Sequence, residues 1–153
     1  MSEGKQVTLT LRQLQDYRCK VEFGGDAPSV ISDEPAPLGT GMGPSPVQFL
    51  LAAVANCLTD SLVFALRKFK QNAEPLQCVA TATVGRNEEN RLRVLQIDAE
   101  LTLGQSAEGV EHLDRILDQF EGFCTVTRSV AQGIPVHLTV KNVDGRVLKS
   151  PAA

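Results

Sequence analysis

The chain has 153 residues, 42% of them apolar and 22% charged, with a formal net charge of −3. That length is most simply one domain, 1–153 with an ordered core over about 5–147, and it buries roughly two-thirds of its unfolded surface. The acidic balance, the absence of Trp and a single tyrosine, Tyr17, argue against nucleic acid as a partner. The opening MSEGKQVTLT lacks the apolar centre of a leader, and the longest apolar run, Phe49 to Ala55, is short for a bilayer, so no membrane partner is expected. The cytoplasm is the expected compartment, where the cysteines at 19, 57, 78 and 124 stay reduced unless they are working thiols.

In chain order, Val7 to Leu11 alternates as a strand, Gln13 to Asp16 turns, and Tyr17 to Phe23 alternates again, giving a hairpin. Gly24-Gly25-Asp26 breaks it, and Ser29 to Ser32 forms a third short strand. Asp33 to Pro46 holds four of the eight prolines and three glycines, a loop whose length suits either a functional segment or a linker. The glycines of Gly39-Thr-Gly-Met-Gly43 lack the ending of a phosphate-binding loop and read as flexibility. Ser45 then caps, and Pro46 opens, one long helix to about Lys70. Phe49 to Ala55 has no polar face and is expected to be buried all round, while the half beyond Asp60 is amphipathic. Asn72 to Pro75 ends this helix. Leu76 to Val84 and Leu92 to Leu103 are strands joined by a polar turn. Ser106 caps a second helix with a stripe of Val110, Leu113, Ile116, Leu117 and Phe120, which Gly122 stops. Cys124 opens a short helix to about Ala131, Ile134 to Val140 is a strand, and the tail beyond Val147 frays. The order gives an α+β fold, antiparallel sheets wrapped around a long central helix.

Chemistry concentrates in the cysteines. Cys57 sits mid-helix among Ala53, Val54, Asp60 and Ser61; its own helix offers no dipole help, and the Asp60 carboxylate would raise its pKa. Periodicity alone assigns it to packing, since free cysteine is commonly buried. Cys124 is the better thiolate candidate locally, because a helix start presents unpaired amides. Cys19 and Cys78 lie on core faces of their strands. With two histidines, His112 and His137, and no CxxC spacing, no metal site is expected. One cysteine deep in a long helix and another opening a late short helix suit a pair in which one thiolate becomes a sulfenic acid and the other condenses with it.

The stretch Gly43-Pro-Ser-Pro-Val-Gln-Phe-Leu-Leu-Ala-Ala-Val-Ala-Asn-Cys57-Leu resembles the signature of the OsmC/Ohr family, the osmotically inducible and organic hydroperoxide resistance proteins. Phe123-Cys124-Thr-Val-Thr-Arg-Ser-Val resembles that family's second cysteine motif, and the element order matches over nearly the whole chain. The resemblance implies an OsmC-like fold in an intertwined homodimer with active sites at the subunit interface. It implies Cys57 as peroxidatic nucleophile, Cys124 as resolving thiol and an arginine of the first hairpin as the polarising cation, Arg18 being the nearest match and Arg12 a weaker one. A fixed guanidinium near sulfur lowers a thiol pKa. The family's usual glutamate after the proline is replaced here by Val47, with Gln48 its only polar neighbour.

Two functions follow. One is a thiol-dependent peroxidase reducing organic hydroperoxides in oxidative-stress defence, with no cofactor beyond an external dithiol reductant and an apolar pocket near Gln48, Phe49, Leu50 and Phe123. The other, motivated by Val47, is a non-catalytic dimer binding a small apolar ligand at its interface; a third and blander reading is a structural or partner-binding dimer with no pocket function.

Overall fold

The computed structural model describes residues 3–152; Met1, Ser2 and Ala153, the ends of the expected 1–153 domain, lie outside the described residues. The chain divides into two compact units, the first ending at Phe49 and the second beginning at Leu50.

In the first unit, β1 (Thr10–Gln15), β2 (Arg18–Glu22) and β3 (Val30–Ser32) form an antiparallel sheet in chain order. The first strand starts at Thr10 rather than Val7 and runs through the expected turn. The reversal comes at Asp16, whose left-handed backbone (φ 50) a short polar side chain tolerates. A register shift between Gln13 and Gln15 sets Arg18 opposite Gln15. Val21 is buried, while Leu9, Leu11 and Phe23 stay exposed and, with Val21, Pro46 and Phe49, border an apolar cavity of about 300 Å³. The proline-rich loop doubles back on itself, the Asp33 amide donating to the Pro44 carbonyl at 3.2 Å. Gly43 is required there, since a Cβ would collide with the Ile31 carbonyl.

Helix α1 (Pro46–Lys68) begins with a reciprocal cap: the Gln48 amide donates to Ser45 Oγ at 3.4 Å, and the Ser45 amide donates to Gln48 Oε1 at 2.8 Å. Its buried residues, Val54, Leu58, Ser61, Leu62, Ala65 and Leu66, recur at helical spacing as one stripe. All-round burial of its first half does not occur within the chain: Val54 is buried, Ala52 and Ala53 are exposed, because the sheet of the second unit covers one face only. At 23 residues α1 is also long and apolar enough to cross a membrane; its buried stripe packs into the core of the second unit.

The second unit is built on a four-stranded sheet, β4 (Gln77–Arg86), β5 (Leu92–Thr102), β6 (Val136–Lys141) and β7 (Val147–Lys149). Ile97, Ala99 and Leu101 of β5, with Leu138 and Val140 of β6, turn inward onto the α1 stripe. Three sequence expectations change. First, β5 and β6 pair in parallel, so the sheet is mixed: α2 (Leu113–Gln119) and α3 (Thr125–Val130) form a crossover that returns the chain to the same end. Second, Ser106 caps a 3₁₀ turn, Ala107–Gly109, and α2 starts only after His112, which is left-handed at φ 58. Third, the tail is not frayed: β7 pairs with β6, and Lys149 Nζ donates to the Leu117 carbonyl at 2.7 Å and pairs with Glu121 at 2.9 Å.

Candidate functional site

The second unit brings Cys57 and Cys124 together. Helix α3 has Cys124 as its N-cap residue, yet that side chain makes no capping hydrogen bond. The first amides of a helix have no partner within it. One of them, the Val126 N–H, donates instead to Cys57 Sγ at 3.4 Å, from a residue 69 positions away in the chain. The Cys57 sulfur therefore closes the open end of another helix. Thr127 is buried beside it, its hydroxyl donating to the Val54 carbonyl at 3.5 Å.

The electrostatics follow from this arrangement. Burial pushes the Cys57 thiol up, but hydrogen bonds from the Cys124 thiol, the Val126 and Thr127 amides and the Ser61 hydroxyl outweigh it, so its pKa lies below the ordinary thiol value. Cys124, 1% exposed, moves the other way: burial first, then the hydrogen bond it gives to Cys57, push it up. The local reading that made Cys124 the better thiolate is thus reversed. Its position at the helix start is as expected, but the Val126 amide is spent on Cys57, and the Thr127 hydrogen bonds do not offset the burial of Cys124. The Asp60 effect is not seen either; Asp60 is exposed and accepts from Asn56 Nδ2 at 2.7 Å.

A cavity of about 380 Å³ opens beside the half-buried Cys57, lined by Asp60, Ser61, Phe64 and Phe123. Phe64 and Phe123 meet edge to face at 5.1 Å, and the Lys68 ammonium lies 5.1 Å from the Phe123 ring centre. Of the expected pocket residues, Phe123 is at this cavity and Leu50 packs against the core of the same unit. Gln48 and Phe49 belong to the first unit, where Gln48 caps α1 and Phe49 borders the apolar cavity of the sheet. Arg18 also lies in the first unit and donates to Thr40 Oγ1 at 3.0 Å, whereas Arg12 is taken up in an exposed pair with Glu22 at 3.2 Å. The first turn of α1 carries no acid, and Val47 is half-buried.

Sequence reasoning missed Ser61, the Val126 and Thr127 amides and Phe64. Ser61 alone carried a signal, a polar residue in the buried stripe one turn after Cys57. Among the described residues no cluster of three side chains fit to ligate a metal occurs.

The family described as OsmC-like protein matches residues 39–139. No curated protein matches the chain. Among solved structures it is similar to an OsmC-like protein from Mycoplasma pneumoniae (TM-score 0.76, 16% identity, 92% of this chain and 99% of that one). It is similar, too, to an organic hydroperoxide resistance protein from Elizabethkingia anophelis with thiocyanate bound (0.73, 15%, 93% and 99%). A third is an organic hydroperoxide resistance protein, OsmC, from Legionella pneumophila (0.69, 13%, 91% and 98%). At these identities the likeness is one of fold.

Proposed function

Because the chain belongs to the OsmC-like family, we propose that it is a thiol-dependent peroxidase acting on organic hydroperoxides in oxidative-stress defence, with Cys57 as nucleophile and Cys124 as resolving thiol. The observation that carries this reading is the Val126 amide on Cys57 Sγ, which favours the thiolate at Cys57, while burial and its hydrogen bond to Cys57 disfavour it at Cys124. The Cys57 thiolate attacks one peroxide oxygen and the O–O bond breaks. Sulfur takes that oxygen as a sulfenic acid, and the departing alkoxide takes a proton to become an alcohol. The Cys124 sulfur, giving up its own proton, then attacks the Cys57 sulfur. An S–S bond forms, the S–O bond breaks and the oxygen leaves as water. Two thiols and ROOH give a disulfide, ROH and water. An external dithiol restores both thiols by exchange, and no cofactor is required.

The cavity walls of Phe64 and Phe123 favour a substrate with an apolar R group over hydrogen peroxide. Arg18 is assigned the role of polarising the peroxide. A homodimer is proposed as the working form, supported by the open apolar residues of the first sheet and the exposed Ala52 and Ala53 of α1. The test is to add cumene hydroperoxide to the reduced protein and follow thiol loss, with mass spectrometry of the Cys57 and Cys124 peptides. Rapid formation of a Cys57–Cys124 disulfide is expected. Slow, unselective oxidation would leave the second reading, an apolar-ligand-binding dimer, which Val47 at the helix start favours.

A further inference from the structure

The loop taken as flexible from its glycines is a cradle for one carboxylate. Asp33 is 3% exposed. Its Oδ1 accepts from the Glu34 amide at 2.9 Å; its Oδ2 accepts from the amides of Thr40 at 3.1 Å and Met42 at 3.3 Å, and from the Thr40 hydroxyl at 2.6 Å. Gly39 makes the wrap feasible, since a Cβ there would collide with the Glu34 carbonyl and the Asp33 carboxylate. The loop is thus fixed from within by the group it encloses.

The same hydroxyl meets Arg18. Arg18 Nη2 lies 3.0 Å from Thr40 Oγ1. A carboxylate only accepts and a guanidinium only donates, so the order is set: Arg18 donates to Thr40, and Thr40 donates to Asp33. Each bond in such a chain polarises the next. Thr40 first, with the Thr40, Met42 and Glu34 amides after burial's opposing effect, holds the Asp33 carboxyl below its usual range, so the relay ends in a charge. Arg18 Nε is buried without an acceptor among the described residues, so this hydroxyl is the hydrogen-bond anchor seen for its guanidinium.

We infer that Thr40 and Asp33 are positioning residues for Arg18, an Arg18–Thr40–Asp33 relay that fixes the guanidinium in a chain with no carboxylate at Val47. This rests on the peroxidase reading, in which Arg18 polarises the peroxide. The discriminating variant is Thr40→Val, close in shape, which keeps every backbone amide on Asp33 and cuts only the hydroxyl. Oxidation of Cys57 by cumene hydroperoxide should slow about tenfold in T40V, the worth of one charge-assisted hydrogen bond. T40S should restore most of the rate, and R18A should lose at least as much as T40V. Adding T40V to R18A should change nothing further, a result that a merely structural role for Thr40 would not give. The relay is overturned if T40V oxidises at the wild-type rate while R18A is slow, or if the two losses multiply. If the wild type and R18A are equally slow, the peroxidase reading falls and the relay with it.

Discussion

At the scale of single residues, the site works by dividing two like groups. Cys57 and Cys124 share a hydrogen bond, and that bond, together with the Val126 amide and the deeper burial of Cys124, favours the charge at Cys57. Cys57→Ser should abolish peroxide turnover. Cys124→Ala should still consume one equivalent of peroxide but stop at a sulfenic acid, which dimedone labelling would detect. A pH profile checks the electrostatics. A lowered pKa extends the thiolate to lower pH than in an ordinary thiol, and it is lost as pH falls through that lowered value. Iodoacetamide alkylation of Cys57 should therefore reach half its plateau at a lower pH than that of an ordinary exposed thiol. In Cys124→Ala, which removes the hydrogen bond that lowers Cys57 most, the midpoint should rise; an unmoved midpoint would dismiss Cys124 as a donor. This division was not legible in the sequence. Local context pointed the α3 amides at Cys124, because a residue 69 positions distant cannot be placed by reading neighbours.

At the scale of elements, legibility tracked how local the cause was. The Ser45 cap, the α1 stripe and the β4–β5 hairpin follow from periodicity and turn residues within one segment. The parallel β5–β6 pair and the ordered tail did not, since both depend on where α2 and α3 deliver the chain, and Lys149 finds its acceptor at Leu117 only after folding. Gly39 and Gly43 were read as looseness, yet each fits a close backbone approach that no other residue allows. The cap at the start of α1 gives a measurable prediction. Ser45→Ala removes one half of the reciprocal pair and should lower stability by about 1 kcal/mol, read as a shifted denaturant midpoint with an unchanged slope.

At the scale of the whole molecule, the core of the second unit packs the α1 stripe on a mixed sheet with Ile116, Leu117 and Phe120 beside them, and Leu58, Leu62 and Leu66 are fully buried. Leu62→Ala should cost about 2–5 kcal/mol, measured by urea unfolding, because neighbours on a packed sheet cannot collapse into the space. The proposed homodimer predicts twice the chain mass by sedimentation, and a charge at Leu11, which is 54% exposed on the first sheet, should reduce it to the monomer. The hydrogen bond between Val126 and Cys57 has a consequence in time as well as in space. On the ribosome Cys57 emerges well before Val126 has been translated, and in that interval its sulfur has the reactivity of any cysteine. On the proposed peroxidase reading the nascent chain is spared oxidation by its own substrate, and the arrival of α3 is the event that arms it.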